Sequence, residues 1–513
     1  MKKTLSLLLA LCISTMLFAD NFVMIKVKDQ QNLRELFSRQ DINIHYYNDN
    51  YVLATSENLN EDMILLDENS FENNELYFIV YCEKDKQQNY IERERENAEV
   101  LFATDDYLIV KQLSYDLEPA KNDGMVAIYN KTARLPKVTR DFPVVSEEDA
   151  TVRELMNQVD IENLTATVQH LQDYERRQYN TEQAYQAAEW IYTQFEDLGL
   201  DVEEFPFTIN DNPNNPSSPN IIATQWGTKY PDKYIVCGSH FDSHRSGDGD
   251  KTCPGADDNA TGVATVLETA RILSEYSFEY SILYCAFSAE EIGLVGSKVY
   301  ASFCAEMGMD IVAYFNNDMN GYLHEGNEIH IDLIYPDNVA VLGDYYKNVA
   351  GTYFPEMEVR HIEFTAGDSD HTSFNNNGFM GIYPFEDKDN YSPYIHTAED
   401  VIGISVNSFE QSQRFTQMNL ACVAHLANLS TENVLENVYN NIKIFPNPAK
   451  NSLTLQSDDA TNEVKILNSL GQIVKEFSFE SNVTVDIKDL NEGVYFVKIM
   501  GEDTVTKKLV VKY

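Results

Sequence analysis

Three short apolar runs, each ending on groups that are costly to bury, constrain this chain more than any other feature. Tyr234-Ile235-Val236-Cys237 leads through Gly238-Ser239 to His240-Phe241-Asp242. Ile282-Leu283-Tyr284-Cys285-Ala286-Phe287 leads through Ser288-Ala289 to Glu290-Glu291, and Ala313-Tyr314-Phe315-Asn316-Asn317 leads to Asp318. Runs this short and this apolar read as strands buried on both faces. Helical patterns alternate with them. Residues 182–198 set Ala184, Ala188, Ile191 and Phe195 on one stripe, and residues 262–275 read as a second helix. The alternation predicts an α/β domain over residues 143–430, with a mixed, largely parallel sheet sandwiched by helices. Functional groups in such sheets gather at the carboxyl ends of strands, which is where His240, Glu290 and Asp318 fall.

Taken singly, each of these groups has an ordinary explanation. His240 with Asp242 two positions on reads as a surface polar pair, or as an imidazole whose N–H is held by a carboxylate. Asp257 opens Asp257-Asp258-Asn259-Ala260-Thr261-Gly262, which runs into a helix. It is placed either to cap that helix or to bridge two metal ions, with Asp258 or Asn259 then supplying the cap. Glu290 and Glu291 suit a first helical turn. They also suit a turn on which one carboxylate binds metal and the other reaches a water. His396 follows a Pro-containing loop. Together, His240, Asp257, Asp318, His396 and one of Glu290 and Glu291 supply the donors for two zinc sites sharing one carboxylate, with the other glutamate free to act as a base. That set supports hydrolysis by metal-activated water.

The motifs carry a resemblance. His240-Phe241-Asp242, Pro254-Gly255-Ala256-Asp257-Asp258-Asn259-Ala260-Thr261-Gly262, Glu290-Glu291-Ile292-Gly293-Leu294-Val295-Gly296-Ser297, Asn317-Asp318-Met319, Ser369-Asp370-His371 and Ile395-His396-Thr397 resemble, in order, the motif set of the bacterial leucyl aminopeptidase family, two-zinc metallopeptidases of clan MH. The resemblance implies a zinc exopeptidase fold and two Zn2+ per catalytic domain. It implies Asp257 bridging both ions, His240 and Asp318 completing one site, and Glu291 and His396 the other. Glu290 becomes the general base and Asp242 orients His240, with a cis Asp257–Asp258 peptide. Met319, Phe385, Tyr391 and Ile395 match the family's apolar pocket for the N-terminal side chain; core packing is the other reading. The implied substrates are peptides with a free N-terminus. Well-known members carry a cysteine pair before the Ser-Asp-His motif, whereas this chain has Thr365-Ala366-Gly367-Asp368, with a charge at Asp368, so the resemblance leaves a leucine preference open. A single-zinc transferase resembling glutaminyl cyclase, or a carboxypeptidase of the same fold, remains as an alternative.

The flanks read differently. Lys2 and Lys3 before an apolar stretch at 5–17, with Ala19 before Asp20, read as a secretory signal over 1–19. No other stretch is long enough for a transmembrane anchor. Residues 20–117 contain a weak repeat of strand, helix and hairpin, predicting a small α+β domain that is either a pro-domain or a spacer or binding module. Residues 118–142 read as a linker. Residues 441–513 show short alternating strands, predicting a β-sandwich. Phe445-Pro446-Asn447-Pro448, Gly471-Gln472, Gly493-Val494-Tyr495-Phe496 and Lys507-Lys508-Leu509 resemble the sorting domain of type IX secretion cargo. That resemblance implies export through the periplasm by the type IX machinery, to the medium or the cell surface. With 82 acidic against 38 basic residues and a net charge of −44, nothing neutralises phosphates, which excludes a nucleic-acid partner. Of the seven cysteines, Cys237 and Cys285 read as buried free thiols, while Cys253 and Cys304 are open to pairing.

Overall fold

The computed structural model describes residues 20–71, 75–113, 124–137, 141–209, 212–245, 252–362, 368–429, 443–445, 449–456, 462–468, 473–491, 493–500 and 504–511. The expected leader over 1–19, the stretch 365–367, Pro446-Asn447-Pro448 and Gly471-Gln472 lie outside these residues.

The N-terminal repeat is present, with one more strand per copy than the sequence suggested. The first copy runs β1 (Asp20–Lys26), α1 (Gln30–Ser38), β2 (Asn43–Tyr47), β3 (Tyr51–Ser56) and β4 (Met63–Ser70). The second runs β5 (Tyr77–Tyr81), α2 (Lys84–Glu94), β6 (Ala98–Ala103), β7 (Tyr107–Gln112) and β8 (Met125–Ile128). Their sheets have the same order, β2-β3-β1-β4 and β6-β7-β5-β8. Met1–Leu76 with Tyr129–Thr132 forms one compact unit, and Tyr77–Ile128 with Ala133–Tyr513 a second. The expected domain over 20–117 is therefore divided between two units. The expected linker over 118–142 contains β8, which pairs antiparallel with β5.

The central domain comprises α3 (Ala150–Asn157), α4 (Ile161–Gln172), α5 (Glu182–Asp197), β9 (Asp201–Phe205), β10 (Asn220–Gln225), β11 (Tyr230–His240), α6 (Gly262–Leu273), β12 (Tyr280–Phe287), α7 (Val295–Met307), β13 (Asp310–Asn316), β14 (Ile331–Ile334), α8 (Ala340–Tyr353), β15 (Val359–Ile362), α9 (His371–Asn376), β16 (Gly381–Phe385) and α10 (Phe409–Leu426). Its eight-stranded sheet has the order β15-β14-β16-β13-β11-β12-β10-β9. The centre is parallel: β12, β11, β13 and β16 run the same way, while β10 and β14 join antiparallel. Alternate side chains feed two cores. Ile235, Cys237, Ile282, Tyr284 and Phe315 pack with α5, α6 and α10, while Val236, Leu283, Cys285 and Tyr314 pack with α7 and α9. Burial on both faces is what made these strands read as unbroken apolar runs. Side chains cap α5 and α3 at their starts: Thr181 accepts from Ala184 N, and Asp149 accepts from Thr151 and Val152 N.

The C-terminal segment holds β17 (Lys443–Phe445), β18 (Ser452–Gln456), β19 (Asn462–Asn468), β20 (Ile473–Phe479), β21 (Asn482–Asp486), β22 (Gly493–Met500) and β23 (Thr504–Val511). The sheets β17-β18-β21 and β20-β19-β22-β23 close on one core that includes Leu453, Leu455, Ile466, Val497 and Leu509. All six described cysteines are buried and none is in a disulfide, so Cys253 and Cys304 are not joined. Among the described residues no helix is long and apolar enough to cross a membrane.

Candidate metal centre

Three adjacent parallel strands deliver the site. β11 ends on His240, β12 runs out to Glu290 and Glu291, and β13 runs out to Asp318. The backbone is unusual around the donors: Ala289 and Met319, just past β12 and β13, and His396, in the loop after β16, adopt positive φ of 58°, 51° and 55°. Each such residue costs on the order of 1–3 kcal/mol, which the surrounding packing must offset.

Two groups of three donors converge and share one carboxylate. His240, Asp258 and Asp318 form one; Asp258, Glu291 and His396 form the other. His240 Nε2 lies 3.2 Å from Asp258 Oδ1 and 3.4 Å from Asp318 Oδ1. His396 Nε2 lies 3.1 Å from Asp258 Oδ2 and 2.8 Å from Glu291 Oε2. Each oxygen of Asp258 thus faces a different histidine. All five side chains are buried.

The shared position corrects the sequence reading, which placed Asp257 there. Asp257 turns away: its Oδ1 accepts from Gly321 N at 2.9 Å and its carbonyl accepts from Thr261 Oγ1 at 2.8 Å. The cis peptide is Asp258–Asn259, one residue later than expected. Gly255, at φ 58°, starts the turn that selects Asp258; a Cβ there would lie 2.6 Å from Asp258 O. The next glycine of the motif is equally confined, since a Cβ on Gly262 would lie 2.2 Å from Asn317 O.

Supporting hydrogen bonds fix the donors. His240 Nδ1 sits 3.1 Å from the carbonyl oxygen of Asp242, closer than the 3.5 Å to its carboxylate. A proton on Nδ1 leaves Nε2 free as a donor to metal. The Asp242 carboxylate instead accepts from Glu290 N at 3.1 Å and Glu291 N at 3.4 Å, so it ties the β11 loop to the β12 turn. Two further supports come from residues given no supporting role by the sequence. Asp400 accepts from the backbone N–H of Asp257 (2.8 Å) and Asp258 (3.1 Å), and Ser369 donates to Asp318 Oδ2 (2.6 Å). Neither has a local pattern, although Ser369 lies in the Ser-Asp-His motif.

Charge at the site is strongly perturbed. Burial works against ionising Asp258, but hydrogen bonds from His240 and His396 outweigh it and hold the carboxyl below its usual range. Burial lifts Glu291 to about 7, with His396 opposing. Glu290 belongs to neither donor group. Burial drives its carboxyl well above the carboxylate range; His240 opposes the shift, while Asp370, Asp318 and Glu291 reinforce it. Beside the donors, Met319, Phe385 and Ile395 form one buried apolar cluster with Ile334 and Tyr383, and Tyr391 packs against it. The rings of Phe385 and Tyr391 lie 5.8 Å apart.

The donor set suits zinc. Each group offers one imidazole nitrogen and two carboxylate oxygens, the hard mixture of a catalytic zinc site with a position left open. Among the described residues Asp318 Oδ1 and His396 Nδ1 are buried without a hydrogen-bond partner, and the former points at His240 Nε2 within its group.

Residues 220–420 match the model of peptidase family M28, and residues 443–512 match the secretion system C-terminal sorting domain. A probable aminopeptidase of Saccharomyces cerevisiae is 24% identical over 291 residues, covering 55% of this chain and 78% of the relative. A probable leucine aminopeptidase of Arthroderma benhamiae is 28% identical over 283 residues, covering 52% and 71%. The fold is that of LapB from Legionella pneumophila, with a TM-score of 0.55 at 21% identity over 69% of this chain and 99% of LapB. The match over residues 220–420 makes the central domain similar to peptidase family M28 and supports a peptide hydrolase, and the match over residues 443–512 makes the C-terminal segment similar to the secretion system sorting domains.

Proposed function

We propose that this chain is a secreted zinc aminopeptidase that removes N-terminal residues from peptides. The observation that carries the reading is Asp258, one carboxylate facing two histidines in two three-donor groups, with Glu290 beside both and in neither. His240, Asp258 and Asp318 would hold one zinc, and Asp258, Glu291 and His396 would hold the other. Bound zinc supplies Lewis acidity and lowers the pKa of water at the site to about 7. Glu290 takes a proton from the attacking water and passes it to the leaving amine nitrogen, for which a raised carboxyl pKa is suited. Asp242 holds the Glu290–Glu291 turn in place through its two backbone N–H groups. Met319, Phe385, Tyr391 and Ile395 receive the N-terminal side chain. The sorting domain supports export by the type IX machinery to the medium or cell surface.

The test is hydrolysis of a panel of aminoacyl-anilides beside their N-acetylated forms. Release from the free amines alone, abolished by chelation, is expected. Glu290→Ala is expected to retain zinc and lose at least about a hundredfold in kcat. No release from any free amine by the zinc-loaded chain would refute the aminopeptidase reading and favour cyclase or carboxypeptidase chemistry.

A further inference from the structure

Arg177 is the one arginine among the largest fully buried side chains of the described residues. It lies between α4 and α5, far in sequence from every donor. Its guanidinium is spent on main-chain carbonyls. Nε donates to Phe241 O at 2.7 Å, one terminal nitrogen to Leu171 O at 2.8 Å and Pro254 O at 2.5 Å, and the other to Gly255 O at 2.9 Å. Its own backbone is tied to the same loop. Arg177 N donates to Ser243 Oγ at 3.0 Å, Ser243 N donates to Arg177 O at 3.3 Å, and Ser243 Oγ donates to Cys253 O at 2.8 Å.

The pattern of acceptors is informative. Phe241 lies between His240 and Asp242. Pro254 and Gly255 lead directly into the turn that presents Asp258. One rigid planar fork therefore joins the loop after β11 to the loop before α6, the two segments that carry a donor of the first group and the shared carboxylate. Gly255 accommodates it closely: a Cβ there would lie 2.9 Å from the guanidinium. Burying a cation is costly, and an apolar residue would fill the same volume more cheaply. Among the described residues no carboxylate forms an ion pair with Arg177. Burial works against its charge, while Cys253 and, at longer range, Asp400, Asp242 and Asp258 favour it.

We infer that Arg177 is a positioning residue for the metal centre: it sets the spacing of His240 and Asp258 through their neighbouring carbonyls and offsets the surplus negative charge behind them. The inference rests on the two-donor-group reading of the site but not on the identity of the substrate. Lysine keeps the charge without the fork and reaches fewer carbonyls. Alanine leaves a guanidinium-sized space.

The test uses the full chain with Arg177→Lys, Arg177→Ala and wild type. Zinc affinity is measured by competition with a chromophoric chelator, fold by circular dichroism, and rate separately on an aminoacyl-anilide. Both variants are expected to fold and to lose about 10–100-fold in zinc affinity. Guanidinium at millimolar concentration is expected to restore affinity to Arg177→Ala and leave wild type unchanged. Wild-type affinity in either folded variant would overturn the inference. So would a loss in Arg177→Ala that guanidinium does not move while Arg177→Lys binds normally. An inactive wild type that binds zinc would refute the aminopeptidase reading alone, because the affinity comparison still decides Arg177.

Discussion

Asp257 and Asp258 are chemically identical neighbours, yet they do different work. The turn that begins at Gly255 directs Asp258 to both histidines and Asp257 to the Gly321 N–H. Sequence spacing cannot separate two adjacent acids, because which one faces the centre depends on a backbone conformation that distant residues such as Asp400 help to hold. A second residue in the motifs has a testable titration. Burial holds His371 down to about 3, against an ordinary 6.5. Between those values the unfolded chain binds the proton and the folded chain does not, so stability falls as pH falls through that window. The slope from this one group is about 1.4 kcal/mol per pH unit. His371→Asn is expected to flatten the acid side of the stability curve between pH 6 and 4 by that amount, measured by urea denaturation at each pH. An unchanged slope would show that His371 titrates normally.

At the scale of elements, the strands that end on functional groups were legible because β11, β12 and β13 are buried on both faces and carry their donors at one end. β8 was not. Met125-Val126-Ala127-Ile128 is short and surrounded by turn residues, so it read as linker. Its strand character comes from pairing with β5. It also touches the site's supporting turn. Ala127 N donates to Gly293 O at 3.2 Å, and Lys298 Nζ donates to Ala127 O. Gly293 adopts φ 115°, and a Cβ there would lie 2.8 Å from Ala127 N. Gly293→Ala is expected to destabilise the chain by about 1–3 kcal/mol and to lower kcat, because the turn after Glu290 and Glu291 must shift. A denaturation midpoint and kcat equal to wild type would show that β8 does not brace this turn. The contacts of the second repeat with the Gly293 turn favour bracing over shielding as its role.

For the whole molecule, the ordered motif set was enough to read the fold class and the likeness of the central and C-terminal segments to known families, because strand-end chemistry and β-sandwich patterning are both local signals. The long-range supports were not legible: Arg177, Asp400 and Ser369 act across tens to hundreds of residues and leave no periodic trace. The division of the N-terminal repeat between two compact units was also hidden, since both copies have the same strand and helix pattern and the same sheet order. The central claim is that one carboxylate serves two metal ions, and elemental analysis of the purified full chain, wild type beside Asp258→Asn and Asp257→Asn, tests it most directly. Two zinc ions per chain in wild type, a marked loss in Asp258→Asn and retention in Asp257→Asn are the expected result. One ion per wild-type chain, or loss in Asp257→Asn with retention in Asp258→Asn, would contradict it.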